Sequence, residues 1–388
     1  MIEIKDAIAI IAQNNYLLNE TNVATKDVLN QILAKDIHSP LNIPSFNQSA
    51  MDGYAICGNG NTFTVVGEIQ AGDTNNYQLK DNEAYRIFTG AKTPQNTTAV
   101  AKQEIVERDN NTIKILEKIK EGSNIRKEGE EITKGEIALK KGTLLTPAAI
   151  GFLATLGIKE VITYRQPNIA IIVTGNELTP VGEELKAGKI YESNSYTLKA
   201  ALKDSGFASS VITVKDDYSS TKNTIEDAIK NNDLVIITGG ISVGDYDYVG
   251  KALEDLGVNQ VFYKVNQKPG KPLYHGIKDN TKIFALPGNP AAALTCFYIY
   301  VLTALKKMTG YVVPSPTLEK AIITHAHYKK GDRGHLLKAH IKNNKVTILT
   351  KQSSAMLSSF INANCLVHLP PNQNNIEKGE EVEVYLIP

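Results

Sequence analysis

Hydrophobic and polar positions follow different patterns in different parts of the chain. Between residues 168 and 310, short apolar runs alternate with amphipathic stretches, as where Leu234–Ile237 is followed by Asp247–Leu256. Unbroken runs rich in Val and Ile are typical of parallel strands covered on both faces, and strands that alternate with helices indicate βαβ units. This region is therefore predicted to be a central doubly wound α/β domain.

Within this region the pattern predicts five strands and four helices. The predicted strands are Ile169–Val173, Ser210–Val214, Leu234–Ile237, Val261–Val265 and Lys282–Leu286. The predicted helices are Ser195–Asp204, which is entered through Ser193 and Asn194, Thr221–Lys230, Asp247–Leu256 and the long apolar helix Pro290–Met308.

The flanking segments have other periodicities. Residues 1 to about 40 are mostly helical by pattern, residues 45–122 hold short β-rich runs such as Thr62–Val66, Ala84–Phe88 and Thr112–Leu116, and short strands return after Pro314. A helix is expected to begin at Pro147, with Thr146 as its N-cap. We predict four domains: an N-terminal α/β linking domain (1–44 plus 123–163), an inserted all-β module (45–122), the α/β domain (164–312) and a C-terminal β domain (313–388).

Composition narrows the class of protein. The 42 basic and 41 acidic residues nearly cancel and form no basic stripe, so a nucleic-acid partner is not expected. Cys57, Cys296 and Cys365 lie far apart and form no CxxC pair, which fits a reducing cytoplasm. Charges interrupt the apolar run at the start of the chain, and no run of 18 apolar residues is present, so we expect no signal peptide and no membrane span.

A glycine-rich loop follows the strand Leu234–Ile237. Gly239, Gly240 and Gly244 let the backbone come close to a ligand, and freed N–H groups at the start of a helix suit a phosphate. Asp245 and Asp247 place negative charge beside it, an arrangement that usually needs a divalent cation. On this loop alone, an ordinary strand–turn–helix with solvated aspartates remains the alternative.

Polar segments follow each predicted strand, and in an open α/β sheet they should meet at one rim. These segments are residues 174–178, 216–217, 238–247, 268–272 and 286–290. They hold carboxylates, lysines and glycine turns without a His or Cys nucleophile, so they predict a site for anions and a hard metal such as Mg²⁺.

Some of these segments have simpler local interpretations. Asp216–Asp217 could be a solvated helix start, and Gly288 could be part of a rigid turn. Lys264 and Lys268 should point to the same face if they share one extended strand. No G-x-G-x-x-G follows the first strand, and no P-loop motif is present, so a standard dinucleotide fold is disfavoured.

Seven motifs stand in order along the chain: Ser-Ala-Met-Asp-Gly-Tyr-Ala (49–55), Thr-Gly-Ala (89–91), Asn-Ile-Arg to Gly-Glu (124–130), Thr-Gly-Asn-Glu-Leu (174–178), Gly-Gly-Ile-Ser-Val-Gly-Asp-Tyr-Asp (239–247), Lys-Pro-Gly-Lys-Pro (268–272) and Leu-Pro-Gly-Asn-Pro (286–290). The same motifs in the same order are found in the molybdopterin molybdenumtransferase family, the MoeA-like proteins and the gephyrin E domain, which the chain resembles. Weaker similarity continues through residues 332–339 and 353–359.

The resemblance implies molybdenum cofactor biosynthesis: molybdenum from molybdate enters adenylylated molybdopterin, AMP leaves, and Mg²⁺ assists. It implies a homodimer whose active site is shared between subunits, and it names a molybdopterin adenylyltransferase as a candidate partner. Neither a nucleic acid nor a membrane is expected among the partners, and the expected location is cytoplasmic.

The resemblance also implies residue roles. The metal and pterin-phosphate carboxylates would be Glu177, Asp217 and Asp247. Catalytic residues facing the site from the partner subunit would be Asp52, Thr89, Arg126 and Glu131. Lysines that hold the anions would be Lys264, Lys268, Lys271 and, near the molybdate, Lys338. Further substrate-binding residues would be Thr174, Gly239, Gly240, Ser242, Gly244, Asp245, Pro287, Gly288, Asn289, Pro290, Arg333 and Ser358.

Three positions depart from the family pattern. Glu131 replaces an Asp, Asn176 replaces an acid, and Lys338 stands where Arg is common. Lys cannot form the bidentate fork that Arg offers an oxyanion. Competing interpretations are a molybdopterin adenylyltransferase, which usually lacks the flanking β domains, a non-catalytic scaffold, and a nucleotide-sugar or NAD enzyme.

Overall fold

The computed structural model describes residues 1–215, 217–241, 248–312 and 316–388. The chain divides into two compact units. The larger unit comprises Met1–Ala34, Leu144–Thr146 and Glu160–Pro388, and the smaller unit comprises Lys35–Thr143 and Pro147–Lys159. The finer four-domain boundaries stay a prediction.

The first part of the chain is mostly β-structure. Its helices are α1 Ile4–Gln13 and α2 Pro147–Thr155, with 3₁₀ turns at Thr25–Asp27 and Gln103–Ile105. Its strands are β1 Glu20–Ala24, β2 Ile37–His38, β3 Gln48–Ser49, β4 Gly53–Ile56, β5 Thr62–Ile69, β6 Glu83–Ile87, β7 Ala99–Lys102, β8 Val106–Asp109, β9 Thr112–Ile115, β10 Ile125–Arg126 and β11 Ile137–Leu139.

The prediction that residues 1 to about 40 are mostly helical is wrong. Only α1 forms, with Ile4, Ala7 and Ile11 buried at helical spacing. The helix ends at Gln13 and is followed by Asn14 as its C-cap, and Asn is a weak helix former. The next segment, rich in Thr and Val, forms β1 instead and pairs with Glu160–Tyr164. The start of α2 at Pro147 is confirmed.

The smaller unit contains a six-stranded sheet in the order β7-β4-β6-β5-β9-β8. Alternate residues of β4 enter different hydrophobic clusters: Tyr54 and Ile56 pack in one, and Ala55 packs in the other. The three predicted strands of this module are confirmed within a few residues as β5, β6 and β9.

The central part of the chain alternates strands and helices. Its strands are β12 Glu160–Tyr164, β13 Ile169–Thr174, β14 Leu178–Thr179, β15 Ile190–Tyr191, β16 Ser210–Val214, β17 Leu234–Thr238, β18 Asn259–Tyr263, β19 Gln267–Lys268, β20 Tyr274–Lys278 and β21 Thr281–Leu286. Its helices are α3 Asn194–Asp204, α4 Tyr218–Asn231, α5 Tyr248–Asp255, α6 Pro290–Cys296 and α7 Leu302–Met308.

The central sheet has the order β16-β13-β17-β21-β20-β18. The first four strands are parallel, and β20 and β18 are antiparallel additions at one edge. Along β13, Ile171 packs into one hydrophobic cluster, and Ile172 packs into another on the opposite face. Both faces of the sheet are thus covered, which confirms the doubly wound architecture.

Two predicted elements in this region differ from the structure. The single long helix is α6 and α7 joined by a π-helical segment, Phe297–Val301. The stretch Pro290–Met308 is long and apolar enough to cross a membrane, but 83% of it is buried inside the protein, so its apolar composition is that of a core helix. The strand β20, which sequence reasoning missed, lies just after the Lys-Pro-Gly-Lys-Pro loop.

The C-terminal part of the larger unit is a β domain. Its strands are β22 Leu318–Ile323, β23 His327–Tyr328, β24 Gly334–Lys342, β25 Lys345–Ile348, β26 Cys365–Leu369, β27 Asn375–Ile376 and β28 Glu381–Leu386, with a 3₁₀ turn at Leu357–Asn362. The sheet runs β19-β24-β25-β22-β28-β26, and β26 also pairs with β24, so the last five strands close on themselves. The short strand β19 joins this sheet rather than the central one.

Candidate functional site

A cavity of about 580 Å³ lies at the carboxyl ends of the central strands β13, β17 and β21. This is where ligands bind in open α/β sheets. Predicted site residues on its wall are Thr174, Glu177, Gly239, Gly240, Pro287, Gly288, Asn289 and Pro290. Pro272, from the segment 268–272, also lines the wall, so the structure brings together four of the five polar segments that were expected to meet at this rim.

The glycines of the β17 loop let two strand ends approach closely. Gly239 has a φ of +92°, and a Cβ atom added there would lie 2.3 Å from the carbonyl oxygen of Thr174. Gly240 has a φ of +62°, and its Cβ would meet the side chain of Val249 at 2.8 Å. The backbone-to-backbone approach at Gly239 therefore leaves room only for glycine.

Asn194, at the first turn of α3, connects two walls of the cavity. Its Nδ2 donates to Thr238 Oγ1 at 2.7 Å and to the carbonyl oxygen of Gly288 at 2.8 Å. Its Oδ1 is buried and has no hydrogen-bond partner among the described residues. Sequence reasoning placed Asn194 only at a helix entrance, because its partners lie 44 and 94 residues away.

Glu192 also lines the cavity and was not predicted. Its carboxylate accepts from the backbone N–H of Ser195 at 2.8 Å and from the Ser195 hydroxyl at 2.5 Å. It therefore satisfies an N–H of the first turn of α3, a position where a negative charge is favoured.

The three predicted metal carboxylates are placed differently. Glu177 is on the cavity wall. Asp217 is the N-cap of α4, where its Oδ1 accepts from the Ser220 N–H at 2.8 Å, and this hydrogen bond lowers the pKa of Asp217. Asp247 lies outside the described residues, as do Ser242, Gly244, Asp245 and Asp216.

Within the described ranges, no group of three or more His, Cys, Asp or Glu side chains could hold a metal ion. The wall does offer the carboxylate oxygens of Glu177, which are donors of the hard type that Mg²⁺ prefers. The chemistry of this donor fits Mg²⁺, although the described residues do not by themselves complete a coordination sphere.

Lys264 and Lys268 do not share one extended strand, which was the condition for their pointing to the same face. β18 ends at Tyr263, and Lys264 has a φ of +67°, with its ammonium 4.7 Å from the centre of the Tyr263 ring. Lys268 belongs to β19, which pairs with β24. Lys268 and Lys271 are both exposed.

Predicted residues of the C-terminal domain occupy distinct environments. Lys338 is 2% exposed, and its ammonium donates to three main-chain carbonyls. Arg333 is half-buried and makes a long contact of 3.4 Å to the carbonyl oxygen of Gln267. Ser358 is exposed in the 3₁₀ turn.

In the smaller unit, the structure brings two of the four predicted residues together. Asp52 Oδ1 accepts from the backbone N–H and from the hydroxyl of Thr89, both at 2.8 Å. These hydrogen bonds lower the pKa of Asp52. Arg126, on β10, and Glu131 are exposed on the same unit.

Three family models match the chain in order. They are the MoeA N-terminal region (domain I and II) at residues 2–157, the "Probable molybdopterin binding domain" at 170–307 and the MoeA C-terminal region (domain IV) at 320–387. The second of these contains the cavity-lining residues of the central sheet.

Similar curated proteins and solved structures span nearly the whole chain. The molybdopterin molybdenumtransferase of Staphylococcus aureus (strain MSSA476) is 33% identical over 99% of this chain and 95% of its own length. That of Haemophilus influenzae is 35% identical over 92% of each chain. The crystal structure of the molybdopterin biosynthesis moeA protein from Pyrococcus horikoshii OT3 matches all of both chains with a TM-score of 0.83 and 30% identity.

Proposed function

Because the chain belongs to the molybdopterin molybdenumtransferase family, it is a transferase of molybdenum cofactor biosynthesis, and we propose that it inserts molybdenum from molybdate into adenylylated molybdopterin with release of AMP. The observation that supports this reaction best is the cavity of about 580 Å³ at the carboxyl ends of β13, β17 and β21. It combines backbone that can approach a phosphate with a carboxylate on its wall.

The pterin and its phosphate would occupy this cavity. Gly239 and Gly240 leave the first two positions after β17 without side chains, so backbone N–H groups there can reach phosphate oxygens. The turn Pro287–Pro290 forms another wall. We include Thr174, Ser242, Gly244 and Asp245 among the substrate-binding residues on the strength of their motifs.

Magnesium would be held by carboxylates at this rim. We propose Glu177, Asp217 and Asp247 as its ligands, of which Glu177 is on the cavity wall. When bound, Mg²⁺ would neutralise the phosphate oxygens and make the phosphorus more electrophilic. The glycine loop and the turn after β21 would hold the adenylylated substrate in place beside it.

Molybdate would be held by the lysines that follow β18. Lys268 and Lys271 are exposed, and Lys264 stands at the turn between the central sheet and the C-terminal domain. Their charges can balance an oxyanion without fixing it in one bidentate geometry. We also propose Arg333 and Ser358 as contributors from the C-terminal domain.

The second half of the site would come from a partner subunit of a cytoplasmic homodimer. We propose that Asp52, Thr89, Arg126 and Glu131 face the substrate from the smaller unit of that subunit. The hydrogen-bonded Asp52–Thr89 pair supports this, because its carboxylate is held in one orientation on an otherwise exposed surface. A molybdopterin adenylyltransferase, which would supply the substrate, is the proposed partner protein.

The first test is AMP release from adenylylated molybdopterin and Mg²⁺, with and without molybdate. We expect molybdate-dependent release that falls at least tenfold in Glu177→Gln. Glu184→Gln removes another exposed carboxylate, which lies outside the cavity wall, and should retain full activity. Substrate binding without release at any molybdate concentration would contradict the enzyme proposal and favour a scaffold or carrier.

Shared active sites can be tested separately by subunit mixing. Asp52→Ala and Glu177→Gln homodimers should each be nearly inactive. In a mixed dimer, one site would combine an intact smaller unit with an intact cavity, so mixing should restore activity. If mixing restores none although the subunits exchange, the two sets of residues do not meet across a dimer.

A further inference from the structure

The ammonium group of Lys338 is enclosed by main-chain oxygens of one segment. Nζ lies 2.9 Å from the carbonyl oxygen of Lys351, 3.3 Å from that of Ser353 and 2.9 Å from that of Met356. An ammonium has three N–H donors, so these carbonyls use all of them. We call residues 349–356, which contain no helix or strand, the wall segment.

Lys338 holds the wall segment through its backbone as well. The side chain of Gln352 accepts from the Lys338 N–H at 3.0 Å and donates to the Lys338 carbonyl at 2.8 Å. The hydroxyl of Ser359 donates to the carbonyl oxygen of Lys351 at 2.9 Å, next to the ammonium. The wall segment is therefore ordered mainly by polar contacts to one residue of β24.

The wall segment reaches the substrate cavity. The carbonyl oxygen of Ser354 accepts from the N–H of Ala292 at 3.1 Å. Ala292 lies in the first turn of α6, where backbone N–H groups have no partner within the helix. The next residue of the segment, Ala355, lines the cavity of about 580 Å³. The C-terminal domain thus supplies part of a cavity that is otherwise built by the central sheet.

The charge on Lys338 suits this role. Burial lowers the pKa of Lys338 to about 8, so the side chain is still mostly an ammonium at neutral pH. Three carbonyl oxygens favour the charged form, and the ring of Phe360 lies 5.5 Å from Nζ. An oxyanion could reach this ammonium only by displacing carbonyls that the wall segment needs.

We propose that Lys338 is a positioning residue that holds the wall segment against the substrate cavity, and that it sets the affinity for adenylylated molybdopterin rather than holding molybdate itself. This inference rests on the proposed function only in taking the pterin substrate as the ligand of the cavity. It assigns the C-terminal domain a part in recognising that substrate.

The matched variants are Lys338→Met and Lys282→Met. Lys282 is 1% exposed, its pKa is also lowered by burial to about 8, and its ammonium donates to the carbonyl oxygen of Asn14, away from the cavity. Both variants remove a buried ammonium, but only Lys338→Met releases the wall segment.

In Lys338→Met we expect faster hydrogen exchange in residues 349–356 and at the N–H of Ala292. We expect the KM for adenylylated molybdopterin to rise about tenfold, which corresponds to about 1.4 kcal/mol of binding free energy. The KM for molybdate should stay unchanged. Lys282→Met should show neither effect. A rise in the molybdate KM alone, with unchanged exchange in the wall segment, would overturn the proposal in favour of an oxyanion ligand.

A second variant covers the case in which Lys338→Met fails to fold. Ala355→Phe leaves the three carbonyl contacts of the Lys338 ammonium (the carbonyl cage) intact and adds bulk on the cavity wall, so it should weaken binding of adenylylated molybdopterin without lowering the melting temperature. Unchanged affinity would show that the wall segment does not contact the substrate. If wild-type protein releases no AMP, the proposed function fails, whereas the exchange measurements need no substrate and still test the cage.

Discussion

Replacing Gly239 by Ala should damage the cavity more than the same change at Gly240 or Gly288, the other glycines that line its wall. Gly239 follows β17 immediately and has a φ of +92°, a region that costs an L-residue about 1–2 kcal/mol. The added Cβ would also lie 2.3 Å from the carbonyl oxygen of Thr174. A normal contact between these two atoms needs a separation about 1 Å larger, and overpacking of this kind costs about 1–3 kcal/mol of stability.

These two costs together predict a loss of about 2–5 kcal/mol in the free energy of unfolding. Thr174 is the last residue of β13 and is held by its neighbour β16, so the loop after β17 should give way rather than the strand. The loop carries Gly240 and leads into the glycine-rich motif, so its displacement should open the phosphate end of the cavity. The protein should therefore fold with reduced stability and bind adenylylated molybdopterin at least tenfold more weakly.

Urea unfolding and calorimetric titration with adenylylated molybdopterin would measure the two effects. Gly250→Ala is the matched control, because its added Cβ has no heavy atom within 4 Å and it lies within helix α5, where Ala is favoured over Gly by about 1 kcal/mol. This control should be neutral or stabilising and should bind normally. A Gly239→Ala protein with wild-type stability and affinity would refute the reasoning, because the loop would then be free to adapt.

Three other perturbations have defined outcomes. Asn194→Ala should lower the melting temperature and weaken binding of adenylylated molybdopterin, because the Thr238 hydroxyl and a carbonyl on the opposite wall lose their common donor; unchanged binding would contradict this. Burial lowers the pKa of His275 to about 4, whereas a histidine in the unfolded chain titrates near pH 6.5, so only the unfolded state takes up this proton as the pH falls between these values. The wild-type protein should therefore lose stability relative to His275→Phe between pH 6.5 and 4, as measured by urea midpoints. Arg165→Met should lower the free energy of unfolding by about 1–3 kcal/mol, because it removes two hydrogen bonds of 2.6 and 2.7 Å to the Asp233 carboxylate. Arg165→Lys should not recover this stability in thermal unfolding, because Lys cannot make both bonds.

The sequence predicts the central sheet well because its signals are local. The run Ile169–Val173 is apolar at every position, and the observed strand differs from it by one residue. Once parallel strands are assigned, chain topology requires their carboxyl ends to share an edge, so the sequence alone groups Thr174, Gly239 and Pro287, which all line the cavity. The grouping follows from strand direction and needs no knowledge of side-chain contacts.

The short strand β19 could not be predicted in the same way. Gln267 and Lys268 pair with residues 334 and 335 of β24, so the chain leaves the central sheet and joins the C-terminal one for two residues. Nothing in the local pattern distinguishes this from a continuing strand, on which Lys264 and Lys268 would point to the same face. The left-handed conformation at Lys264 is also uncommon for a residue other than glycine, so a pattern based on usual conformations does not anticipate it.

Buried polar residues mark a more general limit. A lysine near an expected oxyanion site is naturally interpreted as an anion ligand, because the sequence shows its charge but not what surrounds it. For Lys338 the surrounding atoms are carbonyl oxygens from residues 13 to 18 positions further along the chain, and they can satisfy the ammonium as well as an oxyanion can. Asn194 shows the converse case, since an amide assigned only to a helix entrance joins two walls of the cavity. Residue type therefore predicts the chemistry available at this site, whereas the division between groups that contact substrate and groups that hold the cavity in shape depends on contacts between distant segments.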